Sequence, residues 1–237
     1  MMNGFLRYSY LSLIVGGVML PLQLLIGQDA ARRVGEVRGK IVISGAAESR
    51  SPIRIDRYST HRPSQSAGAI SVTPYRLSQQ AVVYLESEWF KQQRFPPPTN
   101  RPKIDQRNLM FFPRVLPIQV GTVVDFPNSD NLFHNVFSYS QAKDFDLGRY
   151  PTGESRSVVF DRPGIVRVYC DIHAHMNATI LVLDNPYFAS PDDEGNFVLR
   201  NVPEGTYTMK LWYGRDVAES RAIMVRGGET INVNFNH

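Results

Sequence analysis

Apolar positions along this chain alternate with polar ones or gather in short runs, and no stretch carries the spacing of a long amphipathic helix. Val, Ile, Phe and Tyr fill the apolar positions, while Gly, Pro, Asn and Asp punctuate them. The pattern predicts strands over residues 37–44, 80–87, 114–120, 122–128, 134–139, 155–161, 164–170, 178–184, 196–202, 206–213, 220–226 and 230–235. Short strands at this spacing predict an all-β chain built as β-sandwiches.

Three breaks organise these strands. Residues 49–75 form a long polar stretch with Arg50, Arg54, Arg57 and Arg62 against the single acid Asp56, and read as a loop. Residues 94–103, with four prolines, read as a stiff linker. A third break at 184–195 precedes the last four strands. The last two breaks frame residues 104–184 as a unit, flanked by strands at 34–92 and 190–237. One sandwich inserted into a surface hairpin of another is the economical arrangement. Two consecutive domains, with the early strands edging the central one, is the alternative.

Composition adds a compartment and removes a partner class. Arg7 precedes an apolar run from Tyr10 to Ile26, interrupted by Ser12, Pro21 and Gln23. A comfortable membrane span takes roughly 20 apolar residues, so residues 1–28 are expected to be an export signal cut near Gly27 to Ala30, with a retained membrane anchor as the alternative. The expected location is periplasmic or extracellular. Of the 26 basic residues only Arg7 lies in that segment, which leaves 25 against 22 acids. So mild a surplus argues against nucleic acid as the main partner.

The chain has one cysteine, so no internal disulfide forms, and a free exposed thiol outside the cytoplasm is a liability. Cys170 stands in "VYCDIHAHM" with His173 and Met176, each separated from the next by two residues. A loop leaving a strand at Cys170 and turning back at Met176 can aim all three side chains at one point. His134, at a strand start 36 positions before Cys170, can reach the same end of a sandwich and complete the set. A thiolate, two imidazoles and a thioether make the His₂Cys trigonal site with weak axial Met that holds mononuclear blue copper.

At these residues the chain resembles a family. "GTVVDFPNSDNLFHNV" with "VYCDIHAHM" is similar to the cupredoxins, and the short Cys-His-Met loop is most similar to that of amicyanin. The resemblance covers residues 104–184 and implies a Greek-key β-sandwich with one type 1 copper. It also implies His134, Cys170, His173 and Met176 as metal ligands, with His173 nearest solvent as the exit for electrons in an apolar patch. Asn135, after the first histidine, would tie the two ligand loops together. Where amicyanin-like loops carry proline, this one has Ala174 and His175, and His175 offers a competing nitrogen as an alternative ligand. The flanks, above all "EGNFVLRNVPEGTY", resemble the transthyretin-like sandwich of carboxypeptidase regulatory-like domains. The whole chain resembles bacterial exported plastocyanin-like proteins, often labelled as methylamine utilisation proteins.

The function expected is a one-electron carrier and not an enzyme, because four protein ligands leave no open position for substrate. Its partner is expected to be a redox protein; the arginines of residues 50–62 read first as a solvated loop, with a docking patch for an acidic redox partner as the alternative. Three other readings stand beside it. Cys170 can be an inert buried thiol in a non-redox scaffold module; the site can serve copper handling; or a Cys170–His173 nucleophile pair can be present, although no orienting third group is apparent. Structural zinc would more often recruit further cysteines or a carboxylate than a thioether.

Overall fold

The computed structural model describes residues 32–43 and 80–237. The expected export segment at 1–28 and the arginine-rich stretch at 49–75 lie outside the described residues. The described chain is nearly all β. It runs β1 (Val34–Val42), β2 (Ala81–Glu86), one helical turn α1 (Glu88–Lys91), β3 (Asp105–Arg107), β4 (Met110–Phe112), β5 (Val115–Gln119), β6 (Thr122–Pro127), β7 (His134–Ser140), β8 (Lys143–Tyr150) and β9 (Ser155–Phe160). It continues through β10 (Gly164–Tyr169), β11 (Asn177–Leu183), β12 (Phe188–Ala189), β13 (Asn196–Pro203), β14 (Gly205–Tyr213), β15 (Asp216–Val225), β16 (Thr230–Asn232) and β17 (Phe235–Asn236). No helix among the described residues is long and apolar enough to cross a membrane.

The central strands form a five-stranded sheet in the order β5-β11-β10-β7-β8, a second ladder β6-β9 and the β3-β4 hairpin. The β5–β11 pair is parallel and its neighbours are antiparallel. Inward residues from these ladders, among them Val124, Phe126, Val136, Tyr150, Phe160, Val166, Val168 and Ile180, close one core, to which Ile104 and Phe111 also belong. The flanking strands form two further sheets. β12-β2-β14-β15 faces a sheet in which β1 lies between antiparallel β13 and parallel β16 and β17. Val37, Ile41, Val83, Leu85, Phe90, Phe197, Met209 and Leu211 build the core there. The chain before residue 104 and the chain after residue 184 therefore pair within the same sheets.

Two strands are covered on both faces, and their sequences show it. In β2, Val83 and Leu85 enter the flanking core while Val82 and Tyr84 meet Val115, Leu181 and Trp212 in a third cluster. In β11, Ile180 and Val182 enter the central core while Leu181 joins that same third cluster. Covering both faces demands unbroken apolar runs, here "AVVYL" and "ATILVL", in place of alternation.

Candidate metal centre

The sheet order brings the singled-out residues to one pole. β7 begins at His134, and antiparallel β10 ends at Tyr169 immediately before Cys170, so both residues sit at the same end. β11 leaves that end again at Asn177. Between β10 and β11 the chain makes a tight return, with the Met176 amide donating to the His173 carbonyl at 2.9 Å and the Cys170 amide to the Met176 carbonyl at 3.3 Å. This closure holds Cys170, His173 and Met176 on one short loop.

His134 is fully buried, Cys170 and Met176 nearly so, and His173 only half-buried. The donor atoms of His134, Cys170 and His173 all lie within 4.8 Å of one another, a group that could hold a metal ion. Nδ1 of His134 is 3.1 Å from Nδ1 of His173, and the Cys170 Sγ is 4.0 Å and 3.9 Å from those two nitrogens. Bonds from a first-row divalent ion run about 2.0–2.1 Å to imidazole nitrogen and about 2.3 Å to thiolate. Donors this close together could all reach one ion of that kind. Met176 packs in the same core cluster as Cys170.

The side chains around the triangle set its electrostatics. Burial pushes the Cys170 thiol up, but the His134 ring and the backbone amides of Asn135, Ile172 and His173 outweigh it and hold the thiol below its ordinary value. Burial pushes His134 down, yet Cys170 and Asp130 together raise it above the ordinary imidazole range. His173 is lowered, by burial first and then by His134 and His175. Thiolate and imidazolium here favour each other's charged forms, so an ion bound between them would have to displace the His134 proton.

Asn135 takes part through its backbone, whose amide faces the Cys170 sulfur and so links the two ligand stretches. Its side chain turns instead to β8, donating from Nδ2 to Asp146 Oδ1 at 2.6 Å. His175 stands outside the triangle, with its Nε2 donating to the Leu109 carbonyl at 3.0 Å. Leu132, Phe133 and Ile172 are exposed on the loops that carry the two histidines.

One residue at the centre escapes the sequence reading. Asp130 Oδ2 lies 2.8 Å from His134 Nε2, with its side chain only 13% exposed. An ionised carboxylate only accepts, so Nε2 carries the hydrogen and the Nδ1 lone pair faces Cys170 and His173. The one local signal is an acid four positions before a candidate ligand within the "NSDN" turn, and that signal is faint.

No family model matches the chain, and no curated protein matches it. Among solved structures, it is similar to a copper-containing nitrite reductase (NirK) from Thermus scotoductus SA-01, at 25% identity and TM-score 0.35 over 41% of this chain and 26% of that one. The chain thus spans about a quarter of the reductase's length. It is similar to a purple cupredoxin from Nitrosopumilus maritimus at 26% identity and TM-score 0.32, over 35% of this chain and 99% of that one. A mutant of amicyanin in the Cu(I) state matches at 17% identity and TM-score 0.34, over 43% of this chain and 98% of that one.

Proposed function

We propose that this chain is an exported type 1 copper protein that carries single electrons between partner proteins. The observation that carries the reading is the convergence of the His134, Cys170 and His173 donor atoms, with Met176 buried in the same core at the end of the ligand loop. Two imidazoles and a thiolate within reach of one ion, with a thioether on the same short loop, would suit copper in both of its common oxidation states, whereas structural zinc would more often recruit further cysteines or a carboxylate. When bound, copper supplies a one-electron couple. The protein's part is to hold the ligands still: His134 and Cys170 are fixed in the core, and three backbone amides converge on the sulfur. A centre that does not rearrange exchanges electrons with little reorganisation.

Half-buried His173 is the ligand through which electrons leave, and exposed Leu132, Phe133 and Ile172 are the apolar contact for a redox partner. Four protein donors leave no place for substrate, which favours a carrier over an enzyme. The flanking sheets serve as a transthyretin-like sandwich into which residues 104–184 are inserted. Export fits a chain with a single cysteine kept at the centre.

The test is direct. Purified full-length protein titrated with copper(II) should take up one equivalent and turn intensely blue from thiolate-to-copper absorption, and Cys170→Ser should abolish the colour. Protein that stays colourless with copper(II) would favour a non-redox scaffold module. Colourless uptake of copper(I) alone would favour copper handling.

A further inference from the structure

We propose that the tip of the β3–β4 hairpin is an outer clamp on this centre, acting through Asp130 and His175 as positioning residues for the two histidine ligands. The inference rests on the copper reading above. The hairpin turns through Asn108 and Leu109, both at positive φ (54° and 57°). Asn suits that region; leucine rarely adopts it, since a side chain there crowds the following carbonyl. A free surface turn would have little reason to hold a leucine so.

The contacts made from the tip supply the reason. The Asn108 amide donates to Asp130 Oδ1, and the Leu109 amide donates to Oδ2 at 2.9 Å. The same Oδ2 accepts from His134 Nε2 at 2.8 Å. Asp130 is anchored on its backbone too: its amide donates to Asn128 Oδ1 at 3.0 Å, and its carbonyl accepts from the Thr152 hydroxyl. The Leu109 carbonyl accepts from His175 Nε2 at 3.0 Å. Asn177 Nδ2 then donates to the His175 carbonyl at 2.9 Å, closing the loop onto the start of β11.

Leu109 therefore grips both ligand stretches without touching the donor triangle. Its N–H fixes the carboxylate that orients His134. Its C=O fixes the imidazole between His173 and Met176. Two loops far apart in sequence are braced against each other, with His175 Nε2 bonded to the hairpin carbonyl. The brace does what the missing loop proline would otherwise do: it limits the conformations open to Cys170–Met176.

The test uses the full-length protein, comparing wild type, D130N, H175A, the double variant and H175Q, whose amide can replace Nε2 as donor. Copper(II) affinity from chelator competition, reduction potential and the visible spectrum are read on each. D130N should weaken copper(II) binding about 10- to 100-fold and raise the potential, since the lost carboxylate charge favours copper(II) over copper(I). H175A should weaken binding and shift the visible band, and H175Q should restore both. The double variant should lose less than the product of the single losses, because both act through Leu109. Losses that multiply, or variants that lower only thermal stability while potential and spectrum stay fixed, would overturn the clamp. If wild type takes up no copper, the copper reading fails by itself, and the clamp is then read in metal-free protein. Amide hydrogen exchange at Leu109 should be slow there and accelerated in H175A as well as in D130N, whereas fast exchange in wild type overturns it. Should D130N not fold, H175A and H175Q carry the same measurements.

Discussion

At the scale of single residues, His134 does two things with one ring. Nε2 is committed to Asp130, so Nδ1 is left to compete for a proton or a metal. In the metal-free protein burial disfavours its charged form, but Cys170 and Asp130 more than compensate, and the ring is protonated at pH values above the ordinary 6.5. His173 is shifted the other way and gives up its proton below that value. Copper(II) bound as proposed must therefore displace the proton His134 gains as pH falls, together with any proton still on the Cys170 thiol. Apparent copper(II) affinity should already be falling with pH above 6.5, by about tenfold per pH unit for each proton displaced. A second, steeper limb should follow below 6.5 as His173 begins to compete. Competition titrations across pH would check both limbs, and a single onset below 6.5 would mean that Cys170 and Asp130 together do not raise His134 in solution.

The site was partly legible in the sequence for a reason visible in these residues. Cys170, His173 and Met176 are neighbours along the chain, so their spacing alone limits how they can converge, and His134 is marked by its place at a strand start. Asp130 and the hairpin tip are different. Their contacts run between backbone amides and a carboxylate 21 and 22 positions apart, and a backbone amide has no residue type to betray it. Nothing in "RNLM" announces that its amides face inward.

Among the elements, most strands match their apolar patterns to within a few residues, and the exceptions are instructive. β8 (Lys143–Tyr150) was not expected, because "KDFDLGRY" carries two aspartates and a glycine, all poor in strands. It forms at the sheet edge, where Asp144, Asp146 and Arg149 reach solvent while Phe145 and Leu147 pack against the central core. Charge on an edge strand also discourages pairing with another chain. β1 shows the converse: its register depends on glycine at a close approach. A Cβ on Gly39 would stand 1.8 Å from the Val233 carbonyl oxygen and 2.5 Å from the Phe197 ring. A backbone carbonyl cannot rotate away, so β1 would have to part from the β16–β17 chain. Gly39→Ala should cost about 1–3 kcal/mol or more, seen as a lower urea midpoint. Copper uptake should be unchanged, because β1 belongs to the flanking core.

For the whole molecule, the question is how firmly the flanking sheets and the central sandwich are joined. The third cluster does the joining: Val82, Tyr84 and Trp212 from the flanking sheet meet Val115 and Leu181 from the outer face of the central one. It is small, and it contains the buried Trp212 Nε1, which has no hydrogen-bond partner there. Both features weaken this layer. Burial, and then the Glu86 charge, push the Tyr84 phenol up to about 12. A neutral Tyr84 therefore contributes stability that is complete below the unfolded phenol value of 10 and is lost as pH climbs towards 12. Leu181→Ala removes apolar contact from the same layer at about 2–5 kcal/mol. Its side chain lies on the sheet face away from the central core, so the copper site should form normally in this variant. Calorimetry at neutral pH should then resolve two transitions in Leu181→Ala where wild type gives one, with the blue colour lost only in the transition of the central sandwich. A variant that still unfolds in one step, with colour and secondary structure lost together, would mean that the linkers and not this cluster couple the two cores.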